Sequence, residues 1–256
     1  MTVYSTEIAS NKITSDNPIH QRLLKAYHVA QEYVLGDLLE IGCGEGRGVE
    51  LLAPLAKSYT AIDKIPSVVK ILQDEYPDAT FQVGTIPPLP YADEQFDAVV
   101  SFQVIEHIQN DDLYLAEINR VLKPGGVALL STPNIKLTLT RNQWHIREYT
   151  AQELKAKSQS FFSDVQIKGI AGNQKVMEYH GRNKASVEKI TRFDVLNLQH
   201  RLPSFMLRWP YEILNRFNRN NLQTANDALV QSIDHSDYLV SDKADTSLDL
   251  FAILKK

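Results

Sequence analysis

Residues 38–48 read LLEIGCGEGRG, and this stretch decides the fold. A short apolar run ends at Ile41, glycines follow at positions 42, 44 and 46, and a helical apolar pattern begins at Val49. Glycine has no Cβ, so the backbone can turn tightly there and a ligand can approach it closely. Asp63 stands 21 residues after Gly42 at the end of the next apolar run, where a carboxylate can accept hydrogen bonds from a ribose diol. Together these features predict a nucleoside-binding site.

The same stretch discriminates between nucleoside cofactors. The dinucleotide fingerprint G-x-G-x-x-G fails because Arg47 stands where its third glycine belongs. Glu40 adds a negative charge at the strand end, where a pyrophosphate would be repelled. S-adenosylmethionine has no phosphate and carries an ammonium and a sulfonium group. The segment therefore favours S-adenosylmethionine over NAD and makes a dehydrogenase improbable.

Apolar strand patterns alternate with helical ones on both sides of this loop, which predicts an α/β fold. We expect a Rossmann-like, doubly wound and mostly parallel seven-stranded sheet, with helices on both faces and a helical insertion before the last strand. Asp16 and Asn17 are expected to cap a first helix that has Pro18 in its first turn. The expected strands are 38–41, 59–63, 80–83, 96–101, 127–131, 161–170 and 247–254.

The expected domain organisation follows this pattern. Residues 1–35 would form an N-terminal lid and helix, and 36–170 the cofactor-binding domain. Residues 171–246 are too long for a plain connection and would form a helical substrate cap. Residues 247–256 would return to the sheet as its final strand.

Composition excludes several classes of protein. The single cysteine, Cys43, can form neither an internal disulfide nor a thiolate zinc cluster, and a reducing cytoplasm is the expected compartment. We recognise no signal peptide and no apolar run of membrane-spanning length. The net charge of −4 argues against nucleic-acid binding through a broad basic surface.

Five motifs in order resemble those of the class I S-adenosylmethionine-dependent methyltransferases, specifically the methyltransferase-11-like group. The resemblance runs from about Gly36 to Leu154. Its motifs are Glu40–Gly46, Ala61–Asp63, Leu89–Asp97 (LPYADEQFD), Ser101–Ile108 (SFQVIEHI) and Arg120–Gly126 (RVLKPGG).

The resemblance implies S-adenosylmethionine as cofactor, S-adenosylhomocysteine as product, and a set of cofactor-binding residues. The family usually has an aspartate near the adenine where this chain has Thr85, whose hydroxyl can accept one hydrogen bond while the Ile86 amide serves the ring. The implied cofactor-binding residues are Glu40, Gly42, Cys43, Gly44, Gly46, Asp63, Lys64, Thr85, Ile86, Phe102 and Gln103.

Methyl transfer from a sulfonium mainly requires alignment of the reacting atoms and exclusion of water. It needs no metal, and the other histidines show no ligand spacing, so we expect no metal site. A hydroxyl acceptor must lose a proton, which suits a neutral histidine. His107 and His145 are the candidates, although His107 can equally hold its loop through a backbone bond. Arg147 and Tyr149 are candidates for orienting an acceptor, although Arg147 can equally pair with a nearby glutamate.

Residues 174–220 have a distinct composition. They hold nine Lys/Arg and four Asp/Glu, which gives this segment +5. One interpretation is a surface that meets anionic lipid, or a lid that admits a lipid-linked acceptor. The other is a helical cap whose aromatic residues pack on the sheet. The aromatic residues concerned are Phe193, Phe205, Trp209, Tyr211 and Phe217.

The function expected from the sequence is metal-free methyl transfer from S-adenosylmethionine to an acceptor, at oxygen. The acceptor would be a small molecule or one linked to lipid or glycan, because the segments Ser131–Asn134 and His145–Thr150 together resemble quinone-pathway O-methyltransferases and enzymes encoded among surface-glycan genes. The alternative is a catalytically silent protein that keeps the cofactor fold as a scaffold. The intact glycines, Asp63 and the Glu106–His107 pair count against that alternative.

Overall fold

An eight-stranded sheet forms the centre of the molecule, with strand order β3-β2-β1-β4-β5-β8-β6-β7. The computed structural model describes residues 13–192 and 204–256. Strands β1 to β5 are parallel, and β8 then runs antiparallel between β5 and β6. The strands are β1 (Asp37–Ile41), β2 (Ser58–Asp63), β3 (Thr80–Val83), β4 (Phe96–Phe102), β5 (Leu122–Pro133), β6 (Asp164–Gly172), β7 (Tyr238–Ser241) and β8 (Asp249–Lys255).

Helices cover both faces of the sheet because successive strand side chains point to opposite sides. On β4, Ala98 and Val100 join the core under α1 to α3, whereas Val99 joins the core under α4 and α5. The helices are α1 (Asn17–Ala30), α2 (Val49–Leu52), α3 (Pro66–Glu75), α4 (Asp111–Val121), α5 (Ala151–Ser158), α6 (Gln174–Thr191), α7 (Ser204–Ala225) and α8 (Asp227–Ser232). Within the described residues, no helix is long and apolar enough to cross a membrane.

The predicted fold class is confirmed, with a difference in the number of strands. The additional strand is β7, which pairs antiparallel with β6 at the edge of the sheet. Only Tyr238 of its four residues is buried, and the strand is too short to give a clear alternating pattern. It lies in the segment predicted as a helical cap, which also holds α6, α7 and α8. The proposed domain boundaries stay a prediction, and the expectations for residues 1–12 and for Phe193 lie outside the described residues.

The start of α1 differs from the sequence-based expectation. Asp16 precedes the helix, but its side chain makes no capping bond to the helix backbone. Its carboxylate Oδ1 instead accepts hydrogen bonds from Arg216 and Arg219 of α7, at 2.8 Å and 3.0 Å. The capping prediction for Asp16 was therefore wrong, because two guanidinium groups from a distant helix take the carboxylate.

Candidate cofactor and acceptor site

The glycine loop after β1 has the backbone shape that the sequence predicted. Gly42, Gly44 and Gly46 all have positive φ, at 78°, 50° and 79°. A Cβ on Gly42 would lie 2.5 Å from Val104 Cγ2, and one on Gly46 would lie 2.4 Å from Leu72 Cδ2. A Cβ on Gly44 would meet no described atom within 4 Å. Gly42 and Gly46 therefore allow tight packing, and Gly44 leaves its backbone open to a ligand.

Asp63 joins this loop to the end of β2. Its Oδ2 accepts the Gly44 amide at 2.9 Å and its Oδ1 accepts the Ile65 amide at 2.9 Å. Each carboxylate oxygen keeps a second lone pair, and the residue is not fully buried, with 9% of its surface exposed. A carboxylate beside an open glycine backbone suits a ribose diol, so these residues fit the adenosyl part of S-adenosylmethionine.

Glu40 lies behind the loop and not in it. The residue is 1% exposed, its Oε1 accepts the Tyr27 hydroxyl at 2.7 Å, and its Oε2 accepts the Tyr59 hydroxyl. Burial raises the pKa of this carboxyl group, and the two tyrosine hydroxyls oppose that shift. In this arrangement Glu40 joins α1 to β2, and the structure does not bring it into the open space beside Gly44.

The other sequence-predicted cofactor residues are spread around the same strand ends. Cys43 is buried, and burial raises the pKa of its thiol far above the usual range, as expected for a packing residue. Phe102 is buried edge-on against Tyr27, with ring centroids 4.8 Å apart, so a ligand could reach only its backbone. Lys64 is exposed after β2, and after β3 Thr85 is exposed and Ile86 is half-buried.

Gln103 connects the glycine loop to a second feature, a cavity of about 250 Å³. Its neighbour Val104 packs on Gly42, while Gln103 itself lines the cavity. Gln103 has φ of 59°, which is uncommon for a residue with a Cβ and typical of functional sites. The backbone amide of Gln103 donates to the backbone carbonyl of Ser131 at 2.8 Å, which fixes the turn after β4 against β5. The cavity thus begins where the carboxyl ends of β4 and β5 meet the glycine loop.

Polar side chains from α1, α6 and α7 close the far side of the cavity. They include Arg22, His180, Asn183, Asn215 and Arg219. The near side is formed by the turn after β4 and by the loop after β5, which contribute both predicted histidines. A ligand in this space would meet these hydrogen-bonding groups and also apolar side chains such as Leu23, Val176 and Leu248, so the cavity fits a molecule that carries polar groups next to the cofactor site.

His107 holds the loop after β5. Its Nδ1 lies 3.0 Å from the Trp144 carbonyl oxygen, which can only accept, so Nδ1 carries the hydrogen. This is the structural role that the sequence allowed for His107. The imidazole also lines the cavity, with its ring edge-on to His145 at 4.9 Å between centroids.

His145 is held by two partners. Its Nδ1 lies 2.6 Å from Glu148 Oε1 and its Nε2 lies 2.7 Å from the Asn142 amide nitrogen. Asn142 Oδ1 accepts the Trp144 amide, which orients the asparagine so that its NH₂ group donates to Nε2. Nδ1 then donates to Glu148, and Nε2 is the acceptor. In this geometry the imidazole is neutral. Its Nδ1–H donates to the Glu148 carboxylate, and its basic Nε2 accepts from the Asn142 amide, which another donor could replace.

Glu106 is the third ionisable group at this end of the cavity. Its Oε2 accepts the Thr132 hydroxyl at 3.0 Å, while its Oε1 is buried without a hydrogen-bond partner among the described residues. Burial raises the pKa of this carboxyl group to about 7. Glu106, His107 and His145 each offer one atom that could ligate a metal, and these three atoms lie within 4.8 Å of one another. That spacing could hold a metal ion, although an ion would compete with the partners of His145, and the metal-free site stays a prediction.

Arg147 and Tyr149 are not brought to the cavity. Arg147 is exposed and forms an ion pair with Asp111 Oδ2 at 2.8 Å. The buried Tyr149 hydroxyl donates to the same oxygen at 2.7 Å. Lys157 completes this cluster on Asp111 Oδ1 at 2.9 Å. The cluster fixes the loop that carries His145. Arg147 and Tyr149 therefore support that loop and do not contact an acceptor in the cavity.

Sequence reasoning missed Glu148, Asn142 and Glu106 as members of the site. The spacing of three residues between His145 and Glu148 was a usable signal, because such a carboxylate can reach back to the ring. Asn142 and the cap residues gave no signal, because their contacts depend on how the loop and α7 fold over the sheet.

Comparisons with known proteins identify the domain. Residues 39–130 match a family model described as a methyltransferase domain. Over 124 residues the chain is 40% identical to a probable S-adenosylmethionine-dependent methyltransferase from Mycolicibacterium smegmatis, covering 46% of this chain and 48% of that protein. Over 101 residues it is 32% identical to a ubiquinone biosynthesis O-methyltransferase from Azorhizobium caulinodans, covering 38% and 40%. The chain thus spans about half the length of the first of these curated relatives.

A solved structure shares the fold over nearly the whole chain. It is an S-adenosylmethionine-dependent methyltransferase from Thermotoga maritima, described as a possible histamine N-methyltransferase. The TM-score is 0.59 at 15% sequence identity, with 93% of this chain and 91% of that chain covered. S-adenosylmethionine is the cofactor of the proteins that share this domain. Residues 39–130 are therefore a methyltransferase domain similar to those of S-adenosylmethionine-dependent methyltransferases, and the fold of the chain is that of a class I methyltransferase.

Proposed function

We propose that this chain transfers a methyl group from S-adenosylmethionine to a hydroxyl oxygen of an acceptor bound in the cavity beside Gln103. The observation that carries this proposal is the His145–Glu148 pair on the cavity wall. His145 lines the cavity, its Nδ1–H donates to a carboxylate, and its Nε2 accepts from Asn142, a neutral amide that also lines the cavity. This is the geometry of a general base whose basic nitrogen an acceptor hydroxyl could reach by displacing the amide.

The residues around Gly44 would hold the cofactor. The Gly44 backbone would lie beside its methionine part, and Asp63 would accept hydrogen bonds from its ribose. When bound, S-adenosylmethionine supplies a methyl group that is already activated on a sulfonium. The work left to the protein is therefore to place the acceptor oxygen and to receive its proton.

His145 would receive that proton at Nε2. The acceptor hydroxyl would replace the Asn142 amide there and give its proton to Nε2, while its oxygen would take the methyl group and the sulfur would keep the electron pair of the broken methyl–sulfur bond. Glu148 then stabilises the imidazolium through the bond at Nδ1. Glu148 is itself fixed, because Thr138 donates to its second oxygen. The base is thus oriented before the acceptor enters.

We propose a polar small molecule, or the polar end of a lipid- or glycan-linked one, as the acceptor. The cavity of about 250 Å³ suits a compact polar group and is lined by amide, imidazole and guanidinium groups. The relative from Azorhizobium caulinodans, named an O-methyltransferase, supports oxygen as the methylated atom.

Two measurements test this function. Thermal melting with S-adenosylhomocysteine, S-adenosylmethionine and NADH should show stabilisation by the adenosyl ligands alone, about 2.7 kcal/mol at ~100 times the dissociation constant. Asp63→Ala should abolish the shift. No shift with either adenosyl ligand would contradict the proposed cofactor site.

Turnover tests the base. With phenols, quinols and sugars as acceptors, we expect His145→Ala to lower kcat by about 10²- to 10⁴-fold while cofactor binding persists. Glu148→Gln should have a smaller effect in the same direction. His235→Ala is the matched control, because that imidazole stacks on His28 away from the cavity. Full activity of His145→Ala would refute the assignment, and loss of activity with EDTA would refute the metal-free mechanism.

A further inference from the structure

Helix α7 is amphipathic, but its polar side faces the protein and its apolar side faces solvent. Its inward face is largely polar, because Tyr211, Asn215, Asn218 and Arg219 line the cavity. The residues opposite this face are apolar. Met206, Trp209, Ile213 and Phe217 recur at spacings of three, four and four residues, which places them on one side of an α-helix. We call these four residues the α7 stripe.

The α7 stripe is exposed along its full length. The exposed fractions are 53% for Met206, 79% for Trp209, 60% for Ile213 and 59% for Phe217. A cap helix that merely packs on its domain buries its apolar side and exposes its polar side. A continuous run of large exposed apolar side chains instead marks a contact surface. The alternative in which Trp209 and Phe217 pack on the sheet is therefore wrong, and the side chain of Phe205 lies outside the described residues.

Basic side chains flank the α7 stripe. Arg208 is exposed next to Trp209, and its guanidinium lies 4.4 Å from the Trp144 ring centroid. Helices α6 and α7 run antiparallel, since Ser186 bonds to Asn218 and Lys175 bonds to Ser232 beyond the end of α7. Continuing this register brings the exposed Lys189 and Arg192 of α6 level with the turns that hold Trp209 and Ile213.

The charge distribution indicates the kind of partner. Residues 174–220 carry nine basic and four acidic residues, or +5, so with a total of −4 the rest of the chain carries −9. Arg216 and Arg219 pair with buried Asp16, but the remaining exposed charges of α6 and α7 are still mainly basic: Arg182, Lys184, Lys189, Arg192 and Arg208 against Glu178 and Glu188. Two copies meeting through the α7 stripe would therefore bring like charges together, which is unfavourable. An anionic lipid surface offers both an apolar layer for the stripe and negative headgroups for its basic neighbours.

We propose that the α7 stripe docks on an anionic lipid surface. The helix would lie in the interface, with Trp209 at headgroup level and its polar face still turned to the cavity. Docking would then place the cavity beside the membrane, so that an amphiphilic acceptor could offer its polar end without leaving the lipid. That statement about the acceptor rests on the proposed function, whereas lipid binding itself does not.

Vesicle binding tests the docking without cofactor or acceptor. The full chain should cosediment with phosphatidylcholine vesicles that contain about 30 mol % phosphatidylglycerol, and much less with phosphatidylcholine alone. Binding should shift the emission of Trp209 to shorter wavelength. We expect the double variant Ile213→Ser, Phe217→Ser to bind at least about tenfold more weakly. Lys189→Gln with Arg192→Gln should reduce the preference for the anionic vesicles.

Ile71→Ser is the matched control, because Ile71 is 54% exposed on α3, far along the chain from the α7 stripe. It should bind like the unaltered chain, and thermal melting of every variant should show an intact fold. Equal binding by the double variant, or no binding by the unaltered chain, would overturn the proposal. So would a dimer in sedimentation that the double variant dissociates, because a second copy would then be the occupant. Methyl transfer to a water-soluble acceptor should survive all these changes, which separates this proposal from the proposed function.

Discussion

At the residue scale, Glu106 should make the stability of the molecule depend on pH. Burial raises its pKa from the ordinary 4.5 to about 7 in the folded chain. Between these values the folded state holds a proton that the unfolded state has released, so stability falls as pH rises through this window and levels off above it. The expected loss is about 3 kcal/mol, at about 1.4 kcal/mol per pH unit.

Glu106→Gln should remove this loss, because an amide does not titrate. We expect the variant to gain stability relative to the unaltered chain between pH 5 and pH 7.5, as measured by the free energy of unfolding in urea. The titratable groups near Glu106 include His107, His145 and Asp249, and all three are retained in the variant. Glu153→Gln is a control, because hydrogen bonds from Thr150 lower the pKa of Glu153 from the ordinary 4.5. Its contribution is lost only as pH falls below that value, so its effect on stability should not change between pH 5 and pH 7.5. A stability difference that does not change with pH would show that Glu106 stays ionised throughout.

At the scale of single elements, Glu40 should matter more to the attachment of α1 than to cofactor binding. Its two oxygens accept hydroxyls from Tyr27 of α1 and Tyr59 of β2 inside the core. Each hydroxyl left without a partner there costs about 1–3 kcal/mol. We expect Glu40→Ala to lower the free energy of unfolding by about 3 kcal/mol, and Tyr27→Phe by about half as much.

Cofactor binding discriminates between the two roles of Glu40. If it only joins α1 to β2, folded Glu40→Ala should bind S-adenosylhomocysteine with nearly unchanged affinity in calorimetry below its melting temperature. Glu40→Gln, which keeps the volume and one acceptor oxygen, should recover most of the stability. A variant that keeps its stability and loses the ligand would instead support the cofactor role inferred from the sequence.

The strands and helices were predictable where the apolar pattern of the sequence has the period of the element that it forms. Alternating and continuous apolar runs marked the parallel strands, and Thr150 with Glu153 marked the start of α5, where both bonds of the capping box form. The glycine loop was predictable because positive φ restricts the residue type at Gly42 and Gly46. These signals are local, so a single sequence contains them.

The cavity was less predictable because its walls come from distant segments. His145 was recognised from the order of motifs, but Asn142 and Glu148 became partners only through the fold of one loop. The direction of the apolar side of α7 was left open by the sequence for a related reason. Apolar periodicity shows that one side of a helix is apolar, but not whether that side faces the core.

At the scale of the whole molecule, the beginning of α1 joins the cap to the sheet. Asn17 donates to the carbonyl oxygens of Val230 and Ile233 at 2.8 Å and 2.9 Å. Asp16 is fully buried and accepts from both Arg216 and Arg219. The two contacts tie α8 and α7 to the same turn of chain, so the cap should loosen as a unit when this turn is altered.

Asp16→Asn should therefore destabilise the cap, because it leaves two guanidinium groups without their carboxylate. Breaking a buried ion pair by removing one partner costs about 3–5 kcal/mol. We expect faster hydrogen exchange and earlier proteolytic cleavage across α7 and α8, with little change in β1 to β5. Asp74→Asn is the matched control, because its pair with Lys70 is exposed at 3.8 Å and such pairs contribute about 0–1 kcal/mol. Unchanged exchange in α7 would mean that the α6 contacts alone hold the cap. Faster exchange throughout the sheet would mean that the cap and the cofactor domain unfold together.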